Sequence, residues 1–246
     1  MKPTLARRVA AEFLGTAFLV TAVVGSGIMA ERLSSANVGL ALLANAIATG
    51  AALVALIFAF GPVSGAHFNP AVSFADAIEH GLTFREAAAY SIAQVAGGIA
   101  GTLVAHTMFG LSLISLSHHA RSGPAQFFSE FVATFGLICV IWGCVRSRSN
   151  AAFAVGAYIA GAYWFTSSTS FANPAVTIAR SLTDTFAGIR PVDVPLFILA
   201  QSAGACAAVF LFRWLAPGLP AEKVAVGEGP RAGEINKEPV SILEEI

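Results

Sequence analysis

Two copies of the tetrapeptide Asn-Pro-Ala-Val, at 69–72 and 173–176, carry the most definite chemistry in this sequence. Asn is a favoured helix N-cap, and Pro suits the first helical position because its missing N–H would have no partner there. Each motif therefore predicts the start of a short helix, with an Asn amide and backbone N–H groups able to donate hydrogen bonds. The residues concerned are Asn69, Pro70, Ala71, Asn173, Pro174 and Ala175.

Bond-making chemistry is not indicated. The sequence contains no nucleophile–base pair, no phosphate-binding loop and no cluster with metal-ligand spacing. His67 lies two residues before Asn69, and we expect it to brace the segment around the motif and to bind no metal. We therefore expect a protein that is not an enzyme and that carries no cofactor.

Each motif lies in a segment that is too short to cross a bilayer and too apolar for an ordinary loop. These two inserts read GPVSGAHFNPAVSFADAIEHG and STSFANPAVTIARSL. We expect short helices at about Pro70–Glu79 and Pro174–Leu182, preceded by non-helical backbone over Gly61–Phe68 and Thr166–Ala172. Such backbone is tolerated at membrane depth only where it is buried in protein or lines a water-filled cavity.

The composition indicates that lipid is the solvent. The chain of 246 residues is 56% hydrophobic and 11% charged, whereas soluble domains carry about 25% charged residues. The net charge is zero, so no basic surface predicts a nucleic-acid partner. Six apolar segments are long enough to predict transmembrane helices. They are about Val9–Ala30, Val38–Phe60, Phe84–Phe109, Gln126–Val145, Ala151–Ser167 and Val194–Trp214.

The landmarks repeat in the same order along the chain. AEFLGT around Glu12 is matched by SEFVAT around Glu130, and the segment around Gln94 is matched by that around Gln201. The chain therefore divides into halves of about 1–117 and 118–216. Because each half has three spans, the second half is inverted in the membrane.

An inverted pair of inserts places two helix N-termini face to face near the midplane. Each end carries roughly half a positive charge, so two such ends beside a narrow passage repel cations and leave neutral hydrogen-bonding molecules free to pass. Glu12 and Glu130 lie inside spans, where an ionisable group is costly. We expect each to accept hydrogen bonds from the insert of its own half.

The basic residues predict the orientation. Six alternating crossings put Arg32, Arg121 and Arg190 on one side of the membrane, and the positive-inside rule then places both termini in the cytoplasm. We expect a multi-pass protein of the inner or plasma membrane with a disordered cytoplasmic tail at 217–246. The larger basic group, on the cytoplasmic side, comprises Lys2, Arg7, Arg8, Arg85, Arg146, Arg148 and Arg213.

The stretch SGAHFNPAV, the second NPAV and the paired AEFLGT and SEFVAT segments resemble the major intrinsic proteins, that is, aquaporins and aquaglyceroporins. The resemblance covers about residues 7–216. It implies an all-α membrane fold of six transmembrane helices and two re-entrant half-helices, forming a single channel domain. It also implies a homotetramer in the lipid bilayer with one pore for small neutral solutes in each subunit.

The family has a selectivity filter of four positions, and the resemblance places them at Thr49, Gly161, Ser170 and Val176. The family nearly always has Arg at the last of these, and strict water channels have a large aromatic residue at the first and His at the second. All four side chains are small here, which implies a wide filter. Arg180 shares a helix face with Val176. It either replaces part of the missing charge, or it lies near the extracellular vestibule or ties down a loop.

A wide filter without Arg predicts passage of water, glycerol-like polyols and neutral hydroxylated metalloids such as arsenous acid. The pair Thr49 and Val176 is similar to that of bacterial aquaglyceroporins associated with arsenic-resistance operons. Two alternatives stay open: a plain water or glycerol channel, and an ion-coupled secondary transporter, which also uses inverted repeats and broken helices.

Overall fold

A computed structural model describes residues 3–147 and 149–216 of the chain. Within these residues all regular structure is helical, which confirms the predicted fold class. Lys2, Arg148 and the tail at 217–246 lie outside the described residues. The helices are α1 Leu5–Leu33, α2 Val38–Ser64, α3 Pro70–Ile78, α4 Phe84–Phe109, α5 Pro124–Arg146, α6 Ala151–Phe165, α7 Pro174–Arg180 and α8 Val194–Leu215, with one 3₁₀ turn at Pro191–Asp193 before α8.

Five helical stretches of the described chain are long and apolar enough to cross a membrane, namely α1, α2, α4, α5 and the stretch Pro191–Leu215. Helix α6 is apolar but has only 15 residues, a length of about 22 Å at 1.5 Å per residue. It is therefore shorter than the bilayer core of about 30 Å. The chain leaves α6 directly into the second insert.

Helix α2 continues further than the sequence predicted. We expected non-helical backbone from Gly61, but the helix passes through Pro62 and ends at Ser64, where Gly65 adopts a left-handed conformation with φ of 90°. The Gly65 N–H donates to the carbonyl of Gly61. A Gly in this conformation is a common helix terminator, and it releases the chain into the first insert four residues later than predicted.

The two halves pack in the same way. Helices α1 and α4 pair closely in the first half, α5 and α8 pair in the second, and α2 and α6 meet between the halves. At that meeting point, a Cβ on Gly50 would lie 2.8 Å from the Gly156 carbonyl oxygen, and one on Gly156 would lie 2.7 Å from the Gly50 carbonyl oxygen. Two glycines thus allow the α2 and α6 backbones to touch.

Equivalent glycines also join the helix pairs inside each half. A Cβ on Gly97 would collide with the backbone carbonyl of Phe13, and a Cβ on Gly204 would collide with that of Phe131. Phe13 follows Glu12 and Phe131 follows Glu130, so the two contacts are the same contact repeated. The sequence repeat therefore corresponds to the same close contact between helix backbones in each half.

These approaches predict that Gly97→Ala and Gly204→Ala each destabilise the protein, because the obstructing atoms are backbone and cannot turn aside. The expected cost is about 1–3 kcal/mol, a fall of several degrees in apparent melting temperature. Gly143→Ala is the matched control, since nothing lies within 4 Å of a Cβ there. Thermal unfolding in detergent, followed by intrinsic fluorescence, measures all three; equal melting temperatures for Gly97→Ala and Gly143→Ala would contradict the argument.

Candidate functional site

Both Asn-Pro-Ala motifs begin helices as their residue types dictate. Asn69 and Asn173 are N-caps in extended conformation, and each is followed by Pro at the first helical position. The Asn69 Oδ1 accepts from the Ala71 N–H at 2.9 Å, and the Asn173 Oδ1 accepts from the Ala175 N–H at 3.0 Å. The helices end earlier than expected, α3 at Ile78 and α7 at Arg180.

The two inserts are joined by their Asn amides. The Nδ2 of Asn69 donates to the carbonyl of Ala172 at 2.7 Å, and the Nδ2 of Asn173 donates to the carbonyl of Phe68 at 2.8 Å. Each Asn therefore uses its oxygen on its own helix and one amide hydrogen on the opposite insert. Since an amide nitrogen has two hydrogens, one N–H of each Asn is left for other partners.

Glu12 is buried and binds the first insert. Its Oε1 accepts from the Ser64 hydroxyl at 2.6 Å and from the His67 N–H at 3.0 Å. Its Oε2 accepts from the Phe68 N–H at 2.6 Å and from the Gln94 amide at 2.7 Å. Four donors converge on one carboxylate, which fixes the non-helical backbone just before Asn69.

Glu130 does the same in the second insert. Its two oxygens accept from the N–H groups of Phe171 and Ala172, both at 2.9 Å, and Oε2 also accepts from the Gln201 amide at 2.6 Å. The residues bound lie one and two positions before the motif Asn in both halves. Gln201 also donates to the Thr177 hydroxyl at 2.9 Å, just as Gln94 donates to the Ser73 hydroxyl at 3.0 Å.

His67 is held by its own insert. It is 6% exposed, its Nδ1 lies 3.1 Å from the Ser73 hydroxyl, and its Nε2 lies 4.0 Å from an oxygen of Asp76. No group of three or more His, Cys, Asp or Glu that could hold a metal ion occurs among the described residues. His67 contacts the insert that it precedes and also faces the central cavity.

The backbone of both inserts is strained in matching places. The residue directly before each motif Asn has positive φ, 48° at Phe68 and 46° at Ala172. Ala66 and Ser170, three residues before the motif Asn, have φ of 52° and 48°. Non-glycine residues adopt this conformation at a cost and only where the surroundings enforce it. The two carboxylates supply that enforcement.

A cavity runs between the two motifs. It is lined by residues from both halves and measures about 60 Å³, several times the roughly 10–15 Å³ that one water needs. Most of its wall is aliphatic, from residues such as Leu53, Ile57 and Ile159. The polar side chains that line it are Thr49, His67, Asn69, Tyr163, Ser170, Asn173 and Arg180.

Three of the four expected filter positions line this cavity, namely Thr49, Ser170 and Val176. Gly161 does not, because it lies on an exposed face of α6 with open space where a side chain would be. Tyr163, two residues further along α6, lines the cavity, and its hydroxyl lies 3.2 Å from the Thr49 hydroxyl. Tyr163 therefore lines the cavity near the end of α6, and Gly161 does not.

Ser170 differs from its neighbours in hydrogen bonding. Its side-chain oxygen is buried and has no partner among the described residues, although the residue lines the cavity. Buried hydroxyl groups are normally paired. An unpaired one in a cavity wall is available to whatever enters the cavity.

Arg180 also lines the cavity and is 2% exposed. Its guanidinium lies 3.5 Å from the ring centroid of Phe171, and its Nε donates to the carbonyl of Ala187. The Ala187 contact ties the loop after α7, as one of the two sequence alternatives proposed. Its place in the cavity wall follows from sharing a helix face with Val176.

The loops around this end of the cavity are joined by an exposed contact between Asp184 and His118. The Asp184 carboxylate accepts from the His118 N–H at 2.9 Å, and its second oxygen lies 2.9 Å from His118 Nδ1. These contacts hold the pKa of Asp184 below its usual value. The pair lies at the surface, so it joins two loops without entering the cavity.

A fold of paired inserts meeting at two Asn residues defines a class of membrane channels. The Major intrinsic protein family model matches residues 1–166, and the chain belongs to that family, whose members are channels and not enzymes. Aquaglyceroporin AqpS of Rhizobium meliloti is 58% identical over 212 residues, which cover 86% of this chain and 91% of that one. Aquaporin NIP1-4 of rice is 31% identical, with 86% and 78% covered.

The fold likeness extends to a solved structure. The aquaglyceroporin from Plasmodium falciparum matches with a TM-score of 0.70 at 18% identity, covering 89% of this chain and all of that one. At this identity the match shows the fold alone. It agrees with the all-α membrane fold expected from the sequence.

Proposed function

We propose that this protein is a passive channel whose conduit is the cavity between Asn69 and Asn173, with a wide filter that admits water, glycerol-like polyols and neutral hydroxylated metalloids such as arsenous acid. The observation that carries the proposal is the wall at Thr49, Ser170 and Val176, where hydroxyl groups and one short aliphatic side chain face the cavity. The similarity to a bacterial protein named as an aquaglyceroporin supports the water and glycerol part of the proposal.

The cavity wall explains why neutral polar solutes are favoured. The N-caps of α3 and α7, Asn69 and Asn173, each donate to the opposite insert, so two positive dipole ends meet at the middle of the conduit. The free amide hydrogens of Asn69 and Asn173 replace part of a solute's hydration there, and the aliphatic wall offers no competing partner. Cations meet an electrostatic barrier at the same point.

A solute panel tests the proposal. Liposomes that contain the purified protein are mixed with hyperosmotic solutions of sucrose, glycerol, urea or arsenous acid. Vesicle shrinkage and reswelling are followed by stopped-flow light scattering. We expect water, glycerol and arsenous acid to enter faster than in empty liposomes. Water flux with glycerol and arsenous acid excluded would overturn the wide filter and leave a plain water channel.

The ion-coupled transporter is the alternative from another class. Such transporters place ion-coordinating groups at the midplane site, and none of the described residues that line this cavity carries a carboxylate. Glu12 and Glu130 are fully buried and occupied by insert donors. Solute entry that rises when a proton or sodium gradient is imposed on the liposomes would favour the transporter.

Val176→Arg tests the width of the filter. An Arg at this position extends a long charged side chain across a conduit whose wall now has a short one, so large solutes are obstructed more than water. We expect the ratio of glycerol to water permeability to fall about tenfold or more, about 1.4 kcal/mol. Val176→Leu is the control for bulk without charge. An unchanged ratio in Val176→Arg would show that Val176 does not face the narrowest part.

We further propose a single channel domain at 1–216, built from half-repeats of about 1–117 and 118–216, with both termini in the cytoplasm. Arg146 and Arg213 support this orientation because both contact Glu79 and so lie at the same end of the molecule. The homotetramer implied by the family resemblance is also a proposal. Chemical cross-linking in native membranes and protease accessibility of the two termini test the two points separately.

A further inference from the structure

Two guanidinium groups lie against the ring of Phe171, in the second insert, but their hydrogen bonding differs. Arg121 lies 5.1 Å from the ring centroid and donates from Nε to the Gly188 carbonyl at 2.7 Å. Its second nitrogen donates to the Ser168 carbonyl at 3.1 Å and the Thr169 hydroxyl at 3.3 Å. The Arg121 side chain thus donates its hydrogen bonds to loop residues and links those loops.

Arg180 lies closer to the ring and makes fewer hydrogen bonds. Within the described residues, its side chain donates only from Nε, to the Ala187 carbonyl. The two terminal nitrogens have no hydrogen-bond partner there, although the residue is 2% exposed and lines the cavity. A planar guanidinium held by stacking and one hydrogen bond presents its remaining donors in a fixed direction.

No carboxylate pairs with this charge among the ion pairs of the described chain. Glu130 accepts from two backbone N–H groups and from Gln201. Asp193 is bound to Arg190 at 3.0 Å and to the Arg121 N–H at 2.8 Å. The charge of Arg180 is therefore not compensated by a direct partner, and in an aliphatic wall it acts at low effective dielectric constant.

We infer that Arg180 is a specificity-determining residue of the conduit, placed one helical turn beyond Val176. Its guanidinium repels cations and donates hydrogen bonds to oxygen atoms of neutral solutes, and the unpartnered Ser170 hydroxyl supplies a second polar contact. Phe171, stacked under the guanidinium, sets its direction. The inference deepens the proposed function and rests on it, because it takes the cavity as the path of the solute.

Four variants in proteoliposomes test it: Arg180→Gln, Arg180→Lys, the relocation Val176→Arg with Arg180→Gln, and the control Arg190→Gln. Arg190 is a loop arginine with a partly exposed side chain that pairs with Asp193. Water and glycerol permeabilities are measured by stopped-flow light scattering, and sodium leak by an entrapped sodium-sensitive dye.

We expect Arg180→Gln to raise the sodium leak about tenfold or more, because one uncompensated charge has been removed from a low-dielectric wall, with water permeability within about twofold. Arg180→Lys keeps the charge and should keep the exclusion. The relocated arginine should restore exclusion and lower glycerol entry. Arg190→Gln should match the wild type in every measurement.

Sodium leak in Arg180→Gln equal to the wild type, with water flux intact, would overturn the inference and leave Arg180 as a loop anchor for Ala187. If Arg180→Gln does not reconstitute, the test rests on Arg180→Lys. A sodium leak in Arg180→Lys would overturn the charge argument, and continued exclusion of sodium would support it. Failure of the proposed function looks different, because the wild type itself would then admit no glycerol above empty liposomes.

Discussion

Asn173→Asp is expected to raise the cation leak of the channel about tenfold or more, by placing a negative charge where two helix N-termini now meet. Asp is as good an N-cap as Asn, so the cap on the Ala175 and Val176 N–H groups is retained. The amide that donates to the Phe68 carbonyl is replaced by a second acceptor, and the carboxylate attracts cations into the conduit. Proton and sodium fluxes into liposomes measure the effect.

Asn173→Ser is the matched control for this prediction. Ser caps the helix but offers no amide to Phe68 and no charge, so it removes only the hydrogen bond from residue 173 to Phe68 and leaves the one from Asn69 to Ala172. We expect it to lower the melting temperature by a few degrees, for a hydrogen bond worth about 1 kcal/mol, while cations stay excluded. Equal leak in the Asp and Ser variants would attribute exclusion to the geometry of the bridge and not to charge.

Glu130→Gln is expected to cost about 3 kcal/mol of stability and most of the water permeability. A carboxylate accepts from the Phe171 and Ala172 N–H groups through two separate oxygens. Gln keeps one oxygen and points an amide N–H at the remaining donor, which leaves a buried N–H unpaired. The insert backbone also has positive φ at Ala172, and it relaxes once the enforcing contacts are gone.

Glu12→Gln should behave in the same way, since Glu12 accepts from four donors in the first half. The control is Glu86→Gln, near the surface at the start of α4, where the carboxylate completes a capping box that Gln also completes. We expect that change to cost less than about 1 kcal/mol. Thermal unfolding and stopped-flow water flux are measured on the same preparations. If Glu130→Gln matched Glu86→Gln in both, the buried carboxylate would not support the insert.

The positions of the helices could be predicted from the sequence because residue types close in the chain determine them. Asn-Pro fixes where α3 and α7 begin, and long apolar runs fix α4 and α8 to within a residue or so. The end of α2 was predicted four residues early, at Phe60, directly before Gly61 and Pro62. Pro lacks only one donor, however, and the left-handed Gly65 is the residue that stops the helix.

The residues that line the cavity were harder to predict, because they depend on how the helices are rotated against one another. Counting backward from Asn173 gave Gly161, but the path of the second insert between 166 and 173 decides which face of α6 turns inward. That face carries Ile159 and Tyr163. The role of Arg180 was left between two alternatives because its contact with the Ala187 carbonyl depends on how the loop after α7 folds back, which spacing does not determine.

The two crossed hydrogen bonds between the inserts have a consequence for biogenesis. Asn69 requires the carbonyl of Ala172, which the ribosome makes 103 residues later, and Asn173 requires that of Phe68. The first re-entrant segment is therefore made before the second insert, which holds its hydrogen-bond partner. Neither half can form these hydrogen bonds by itself, so the passage between the two Asn residues is complete only after both inserts have been made.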